Sequence, residues 1–205
     1  MHILAVLSQK GGTGKSHTVR SLAVAGILNG RKVAVIDADP QATVVAWGRR
    51  RKHNAPHIVA LGGQTIASQI EELRGRGAEL IVIDTPPHAQ PIINMAAESS
   101  DACLIVTGAF LEELETVATV ANITKTLHKP SAIALNRVGR SHALTLARTA
   151  LGTFGLPVCP VAMAQLVTHA YASAEGETAN EREPDGKAAQ EVSAVYAWLK
   201  KESLI

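Results

Sequence analysis

The chain has 205 residues, a length that favours one α/β domain spanning residues 1–205 over two separate domains. Apolar residues make up 46% of the chain but aromatic residues only 3%, which suits a parallel sheet of Val, Ile and Leu and argues against an aromatic stacking platform for single-stranded nucleic acid. The net charge is only +2, so any binding of nucleic acid must come from a local cluster of basic residues.

Neither a secretory leader nor a membrane span is predicted. The opening segment 1–7 carries no basic leader and no cleavage site, and no run approaches the roughly 18 apolar residues of a membrane helix. The two cysteines, Cys103 and Cys159, have no metal-type spacing. We therefore expect a soluble protein of the reducing cytoplasm.

Short apolar runs alternate with longer segments of helical period along the chain, the pattern of βαβ units around a parallel sheet. Gly30 closes the first helix, and Lys129-Pro130 ends a long helix that begins near Leu111. The polar stretch 175–187 is predicted to be a surface loop before a terminal helix at 188–201. The predicted strands are 3–8, 33–37, 58–61, 80–84, 102–107, 131–136 and 156–159.

This order predicts an α/β fold with a doubly wound, mostly parallel sheet and helices on both faces. Ligands bind such sheets beyond the carboxyl ends of the strands. The segments 8–16 and 37–39, and the residues Asp84 and Asn136, all follow predicted strand ends. We expect them to converge on one crevice.

A glycine-rich turn with two lysines, Lys10-Gly-Gly-Thr-Gly-Lys15-Ser16, follows the first strand. Its glycines let successive N–H groups point inward and form an anion nest at the start of the next helix. Lys15 can then reach the β- and γ-phosphates of a nucleotide, and the Ser16 hydroxyl can ligate Mg²⁺. Ser8 or Gln9 holds the place of the first glycine of the ordinary GxxxxGK[ST] pattern. The alternative is a plain glycine-rich turn with a solvated lysine.

Three carboxylates, Asp37, Asp39 and Asp84, are predicted at the ends of two strands. A carboxylate at the end of a buried strand is costly unless it is paired or near a metal. Asp84 is placed to hold Mg²⁺ through a water molecule, and Asp37 is interpreted as part of the same outer shell. Two alternatives stay open: one of the three only caps the following helix or turn, or Asp37 and Asp39 exchange roles.

Together these motifs resemble the ParA/MinD family of deviant Walker A P-loop ATPases, and most of all its short plasmid-type partition proteins. Lys10 matches the extra signature lysine of that family, the segment 35–41 its second acidic motif, and the segment 80–87 its Walker B strand. The segment 183–189 resembles the stretch before the last helix of ParA proteins. The resemblance implies ATP and ADP as ligands together with Mg²⁺.

The resemblance also implies a role for each residue of the site. Asp39 orients or activates the attacking water. Lys10 serves its own site or reaches across a dimer to the phosphates of the partner subunit, and the alternative is a solvated loop lysine. The implied catalytic residues are Asp39, Lys10 and Lys15, and the implied metal residues are Ser16, Asp37 and Asp84. The implied nucleotide-binding residues are Lys10, Gly11, Gly12, Thr13, Gly14, Lys15, Ser16, His17, Asn136 and Arg137.

Two further assignments carry alternatives. His17 stands where the family usually has Thr or Ser near the α-phosphate, although an imidazole can still donate a hydrogen bond. Asn136 matches the position that reads adenine, or else it is a turn asparagine. No arginine within the motif is aimed at the phosphates, so basal ATP hydrolysis should be slow.

For partners, the resemblance implies a homodimer with ATP that binds nonspecific DNA on the nucleoid and drives plasmid or chromosome partition. A ParB-like or small centromere-binding protein would stimulate hydrolysis. The alternative is a MinD-like or carboxysome-positioning ATPase acting on a membrane or a protein scaffold. No stable membrane association is expected, because the segment 195–205 is interpreted as a packing helix. The candidate DNA contacts are the run 49–53, Arg74, Arg76, Lys125, Lys129, Arg140, Arg148, Lys187, Lys200 and Lys201.

Overall fold

The computed structural model describes residues 1–139 and 143–205, where strands and helices alternate as predicted. The strands are β1 (His2–Leu7), β2 (Val33–Asp37), β3 (His57–Ala60), β4 (Leu80–Asp84), β5 (Ala102–Thr107) and β6 (Ser131–Leu135). The helices are α1 (Lys15–Leu28), α2 (Thr43–Gly48), α3 (Ile66–Gly75), α4 (Gln90–Ser99), α5 (Leu111–Thr126), α6 (Ala143–Gly152), α7 (Val167–Ala174), α8 (Ala179–Arg182) and α9 (Lys187–Lys201).

The six strands form one sheet in the order β3-β2-β4-β1-β5-β6, and every pair is parallel. All carboxyl ends therefore lie at one edge. The register aligns them closely, since Asp84 is paired with Asp37 on one side and with Val6 on the other. This confirms the doubly wound α/β fold. It also brings the turn that follows β1 next to two of the predicted carboxylates.

Both faces of the sheet are covered by helices, as the continuous apolar strands require. Alternate residues of β1 point to opposite faces, with Leu4 and Val6 in one core cluster and Ile3 and Leu7 in the other. The first cluster is completed by α1, α2 and α9, and the second by α3, α4, α5 and α6. The sheet is thus anchored on both sides, and its carboxyl edge is left to hold a site.

The predicted strand at 156–159 is wrong. The segment makes one bridge, in which the Ile133 N–H donates to the Pro157 carbonyl and the Cys159 N–H donates to the Ile133 carbonyl, both at 2.8 Å. Pro157 and Pro160 bracket this bridge and have no N–H to donate, so pairing cannot extend into a ladder. The other predicted strands agree with the structure to within one residue at each end.

The segment 175–187 is more than the surface loop that its polarity predicts, because it contains α8. The Thr178 N–H donates to the Glu181 carboxylate at 2.8 Å, which closes the first turn of this short helix. The same carboxylate pairs with Arg51 at 2.7 Å. The Asn180 amide donates to the Ala189 carbonyl at 3.2 Å and so ties α8 to α9.

The terminal helix α9 docks on the sheet through its buried side chains. Val192, Val195 and Leu199 are fully buried and Tyr196 nearly so, and they join the cluster that contains α1. This is the packing role that its apolar spacing predicts. Within residues 1–139 and 143–205, no helix has both the length and the apolar character to cross a bilayer.

Candidate functional site

The loop between β1 and α1 is shaped by two glycines with left-handed backbone angles. Gly12 has φ 79° and Gly14 has φ 87°, conformations that residues with a Cβ rarely adopt. A Cβ on Gly14 would also lie 2.2 Å from the Asn136 amide nitrogen. Gly14 offers no side chain to cap α1, and the first turn of α1 carries no acidic residue. The positive end of the helix is therefore left to an anionic ligand.

Ser8 has a structural role in this loop. Its hydroxyl accepts a hydrogen bond from the Thr13 hydroxyl at 3.1 Å and donates to the Lys10 carbonyl at 3.2 Å. Both Ser8 and Thr13 are buried. The loop lacks the first glycine of the ordinary pattern and is stabilised by the hydrogen bonds of these two hydroxyl groups.

Lys15 lies at the base of the loop between two carboxylates. The side chain is only 6% exposed, and burial lowers the pKa of its ammonium group, while the charges of Asp84 and Asp39 oppose that shift. Lys15 lines a pocket of about 310 Å³ together with the loop glycines, Ser16 and Asp39. A cation in this place suits the phosphates of a nucleotide.

Asp84 is fully buried, and neither of its carboxylate oxygens makes a hydrogen bond of normal geometry. Burial raises its pKa to about 7, while the neighbouring Ser16 hydroxyl and the Lys15 charge oppose the shift. An orphaned carboxylate beside a hydroxyl fits Mg²⁺, which binds through one or two protein oxygens and completes its shell with water and substrate phosphates. In the part of the chain that the structure describes, no larger cluster of metal-binding side chains is present.

Asp37 uses both of its carboxylate oxygens on the backbone of the next segment. Oδ2 accepts from the N–H groups of Val44 at 2.9 Å and Val45 at 3.0 Å, and Oδ1 accepts from the Asp39 N–H at 3.2 Å. Burial raises the pKa of this carboxyl group, and the three backbone hydrogen bonds oppose that effect. The capping alternative thus describes Asp37 in this structure, and its place in a metal shell stays a prediction.

Asp39 and Lys10 are placed differently. Asp39 lines the phosphate pocket, and its Oδ1 accepts from the Gln41 N–H at 2.9 Å. Lys10 is half-buried and does not line that pocket. Among the described residues its ammonium group makes no hydrogen bond and no ion pair. Asp39 therefore belongs to the site of its own chain, and Lys10 is left free for another partner.

Asn136 and Arg137 both hold the phosphate loop. The Asn136 amide donates to the carbonyls of Thr13 and Gly14 at 3.2 and 3.1 Å, and its oxygen accepts from the Arg137 N–H at 2.8 Å. Arg137 has φ 54°, and its guanidinium donates to the Gly12 carbonyl. The reading of adenine by Asn136 stays a prediction, since in this structure its amide is occupied by the loop.

His17 pairs with a histidine that is remote in the sequence. Its Nε2 lies 3.0 Å from His169 Nδ1, with the rings edge to face and their centroids 4.3 Å apart. Burial lowers the pKa of His17 to about 3, and the charges of His169, Arg20 and Arg137 add to this effect. The imidazole is therefore neutral at pH 7. Its Nε2 is engaged by His169, so in this structure that nitrogen is not available for the predicted hydrogen bond to the α-phosphate.

A second pocket of about 260 Å³ lies beside the phosphate pocket. The two pockets share His17, Arg20 and Arg137. Arg20 and His169 were not predicted as site residues. The sequence offers a signal for Arg20, because a residue four positions after Ser16 lies on the same face of the helix α1. For His169 no local signal exists, because only the packing of α7 on α1 brings it to the site.

Most of the candidate DNA contacts are already engaged within the chain. Arg51 is paired with Glu181, and Arg74 and Arg76 are paired with acidic neighbours on α3. Lys187 is paired with Glu191, and side-chain hydrogen bonds to backbone carbonyls engage Arg50, Lys125, Lys129 and Arg148. Arg140 lies outside the described residues. Arg49 and Lys52 in the basic run, and Lys200 and Lys201 at the end of α9, are exposed.

Residues 4–178 match the model of the family described as the CobQ/CobB/MinD/ParA nucleotide binding domain. The chain is 38% identical over 86 residues to the maintenance of carboxysome distribution protein A of Gloeobacter kilaueensis, covering 42% of this chain and 38% of that protein. It is 27% identical over 183 residues to the protein of the same name from Halothiobacillus neapolitanus, covering 84% of each. It is 26% identical over 145 residues to the chromosome-partitioning ATPase Soj of Thermus thermophilus, covering 56% of this chain and 58% of that protein.

Solved structures share the fold over nearly the whole chain. MinD of Pyrococcus horikoshii, complexed with Mg-ADP, superposes with a TM-score of 0.77 at 22% identity and covers 98% of this chain and 97% of that one. An ATP complex of a McdA variant from Cyanothece superposes with a TM-score of 0.76 at 16% identity and covers 100% of this chain and 97% of that one. These likenesses support the P-loop fold predicted from the sequence.

Proposed function

The chain belongs to the CobQ/CobB/MinD/ParA nucleotide-binding family, and on this premise we propose that it is an ATPase that dimerises with ATP bound and hydrolyses ATP slowly to ADP and phosphate. One observation carries the proposal. Lys15 is buried beneath an anion nest, with Asp84 and Asp39 near enough for their charges to act on it. A buried cation, a free helix N-terminus and an orphaned carboxylate meet the needs of a magnesium-bound triphosphate.

Nucleotide binding is divided among a few groups of this chain. The backbone of residues 11–14 and the N-terminus of α1 bind the β-phosphate, and Lys15 reaches the β- and γ-phosphates. The Ser16 hydroxyl and the Asp84 carboxylate would hold the metal. When bound, Mg²⁺ would offset negative charge on the β- and γ-phosphates.

Hydrolysis then needs a positioned water and more positive charge. Asp39 lines the phosphate pocket and has a carboxylate oxygen to orient or accept a proton from the attacking water. Lys10 does not line the pocket of its own chain, so it is available to the phosphates of a second copy. A site completed only by the partner subunit makes turnover depend on dimerisation.

The first test is ATP turnover and assembly of the wild-type chain and Asp39→Ala. We expect the variant to form ATP-bound dimers. It should hydrolyse ATP at least about 100-fold more slowly than the wild type, the usual effect of losing a general base. Asp185→Ala is the matched control, because this exposed aspartate does not line the phosphate pocket or the pocket beside it. Turnover by Asp39→Ala at the rate of the control would remove the proposed role of Asp39.

We further propose that the ATP-bound dimer binds DNA without sequence preference on the nucleoid and that a ParB-like partner stimulates its hydrolysis. The similarity to the partitioning ATPase Soj supports this role. Exposed Arg49 and Lys52 supply positive charge, and dimerisation doubles their number. DNA binding with ATP, with ADP and without nucleotide, each titrated with salt, tests the proposal. Equal affinity in all three states would contradict it.

A second candidate is the positioning of a protein assembly. Two of the relatives are named for the maintenance of carboxysome distribution, and one of them is covered over 84% of its length. Both candidates use the same ATP cycle and differ in the cargo. Pull-down with the ATP-locked Asp39→Ala dimer separates them, since capture of a DNA-binding protein favours partition and capture of a shell or scaffold protein favours positioning.

A further inference from the structure

Arg20 is a half-buried cation with no ion-pair partner among the described residues. On α1, one turn after Ser16, its Nε donates to the Ser16 carbonyl at 3.1 Å and its Nη1 donates to the Ser173 hydroxyl at 2.7 Å. Its guanidinium also lies 5.7 Å from the centre of the Trp47 ring. No carboxylate of residues 1–139 or 143–205 forms an ion pair with it. By contrast, Arg51 on the other side of Trp47 pairs with Glu181 at 2.7 Å.

Burial has the largest effect on the ionisation of Arg20. It lowers the pKa of the guanidinium to about 10, while the charge of Asp84 opposes this shift and the charge of Arg50 adds to it. Arg20 thus keeps its charge at pH 7. A cation withdrawn from water is unfavourable unless an anion pairs with it. The neutral partners Ser16 and Ser173 do not supply that anion.

The position of Arg20 indicates which anion this is. With His17 and Arg137, Arg20 lines both the phosphate pocket and the adjoining pocket. A nucleotide with its β- and γ-phosphates on the loop and its base in the adjoining pocket must pass the wall that the two pockets share. The part of the molecule at that wall is the α-phosphate and the ribose.

We propose that Arg20 binds the α-phosphate of the nucleotide. It supplies positive charge there, as Lys15 does at the β- and γ-phosphates. The proposal rests on the proposed function, in which this site holds ATP or ADP. Its Nη2 makes no hydrogen bond among the described residues and can donate to a phosphate oxygen. Charge-assisted hydrogen bonds from a guanidinium to phosphate are among the stronger ones in proteins. Neutral His17 leaves this charge to Arg20.

The test is the affinity for ADP and for its two α-thio diastereomers, in magnesium buffer, by titration calorimetry. Arg20→Gln should weaken ADP binding about tenfold or more, the usual effect of losing a hydrogen bond to a charged group. Sulfur in place of the contacted α-oxygen should weaken binding to the wild type several-fold for one diastereomer. In Arg20→Gln that penalty should vanish, since the contact is already lost.

Two variants separate this role from a structural one. Arg50→Gln removes the same charge from a side chain that also contacts Ser173 but lines neither pocket, and it should bind ADP within about twofold of the wild type. Arg20→Lys keeps the charge and should recover part of the affinity. If Arg20→Gln does not fold, the α-thio penalty is measured in Arg20→Lys, where the penalty should be smaller than in the wild type.

The outcomes are distinguishable. Unchanged ADP affinity in Arg20→Gln, or an α-thio penalty of unchanged size in Arg20→Gln and Arg20→Lys, would overturn the α-phosphate contact alone. A wild-type chain that binds neither ADP nor ATP would instead overturn the proposed function.

Discussion

Two lysines of one short loop differ in burial, and this difference separates their functions. Lys15 is 6% exposed and lines the phosphate pocket, whereas Lys10 is half-buried and lies outside it. Lys15→Ala should abolish binding of ADP and ATP. Lys10→Ala should bind ADP normally but lose ATP-dependent dimerisation, because under the proposed function its charge acts on the phosphates of the partner subunit. Calorimetry and light scattering measure the two effects, and an ATP dimer of Lys10→Ala as stable as the wild type would disprove the second.

Asp84 makes the stability of the ligand-free protein depend on pH. Burial raises its pKa from 3.8 to about 7, so between these values the folded state holds a proton that the unfolded state has released. The contribution of Asp84 to stability is therefore complete below about pH 4 and is lost as the pH rises to about 7. We expect the free energy of unfolding, measured by urea denaturation in EDTA, to fall by up to about 1.4 kcal/mol per pH unit in this window.

Asp84→Asn isolates this effect, because the amide is neutral at every pH. The free energy of unfolding of the variant should lack the decline that Asp84 causes. Its difference from the free energy of unfolding of the wild type should grow steadily up to about pH 7. Parallel stability curves of the two proteins over this range would show that Asp84 keeps an ordinary pKa.

At the scale of elements, the segment that follows α2 is clamped to α8 by a buried ion pair. Arg51 donates from Nη1 and Nη2 to the two Glu181 oxygens at 3.0 and 2.7 Å and stacks 4.5 Å from the Trp47 ring centre. The Arg51 side chain is 3% exposed. Removing one partner of a buried pair leaves the other charge uncompensated, so Arg51→Ala should lower the free energy of unfolding by about 3 kcal/mol.

Arg74→Ala is the matched control for this clamp. Its ion pair with Glu71 has side chains that are 54% and 64% exposed, so its removal should cost less than about 1 kcal/mol. Denaturant unfolding compares the two variants, and equal losses would mean that the Arg51 pair behaves like a surface contact. A loss of DNA binding by Arg51→Ala would report the release of this clamp, since the buried guanidinium is not available to DNA.

The elements that the sequence predicts well are those with strong local patterns. The parallel strands are apolar throughout, and the glycine-rich turn needs left-handed angles at Gly12 and Gly14, so both are visible in the residues themselves. The segment 156–159 is apolar too, but its flanking prolines limit it to one bridge. The helix α8 is stabilised by Arg51, which lies 130 residues away, and no local pattern records such a contact.

At the scale of the whole molecule, the site could be located from the sequence but not completed. The carboxyl ends of parallel strands must share an edge, so the convergence of the loop with Asp39 and Asp84 was predictable. His169 joins the site only because α7 packs on α1, where Arg20 also donates to Ser173 of α7. Arg51, one of the candidate DNA contacts, is engaged by Glu181 for the same reason, since this partner is set by tertiary packing.

The same edge of the molecule carries an exposed apolar pair. Phe110 is 73% exposed and Leu111 is 68% exposed. They follow the carboxyl end of β5, which neighbours β1 and its phosphate loop in the sheet. The Phe110 N–H donates to the Glu113 carboxylate at 3.2 Å, which fixes the start of α5. Under the proposed function, we expect a second copy to cover these two exposed apolar side chains.

We therefore expect Phe110→Ala to weaken the ATP-dependent dimer by about tenfold or more, because each copy loses the burial of an aromatic side chain. ADP affinity of the monomer should not change, since Phe110 lines neither nucleotide pocket. Tyr171→Ala is the control: this side chain is 60% exposed but lies on α7 and not at the end of β5. Light scattering with ATP measures the dimer. A loss of dimer in Tyr171→Ala but not in Phe110→Ala would move the interface to the α7 side of the molecule.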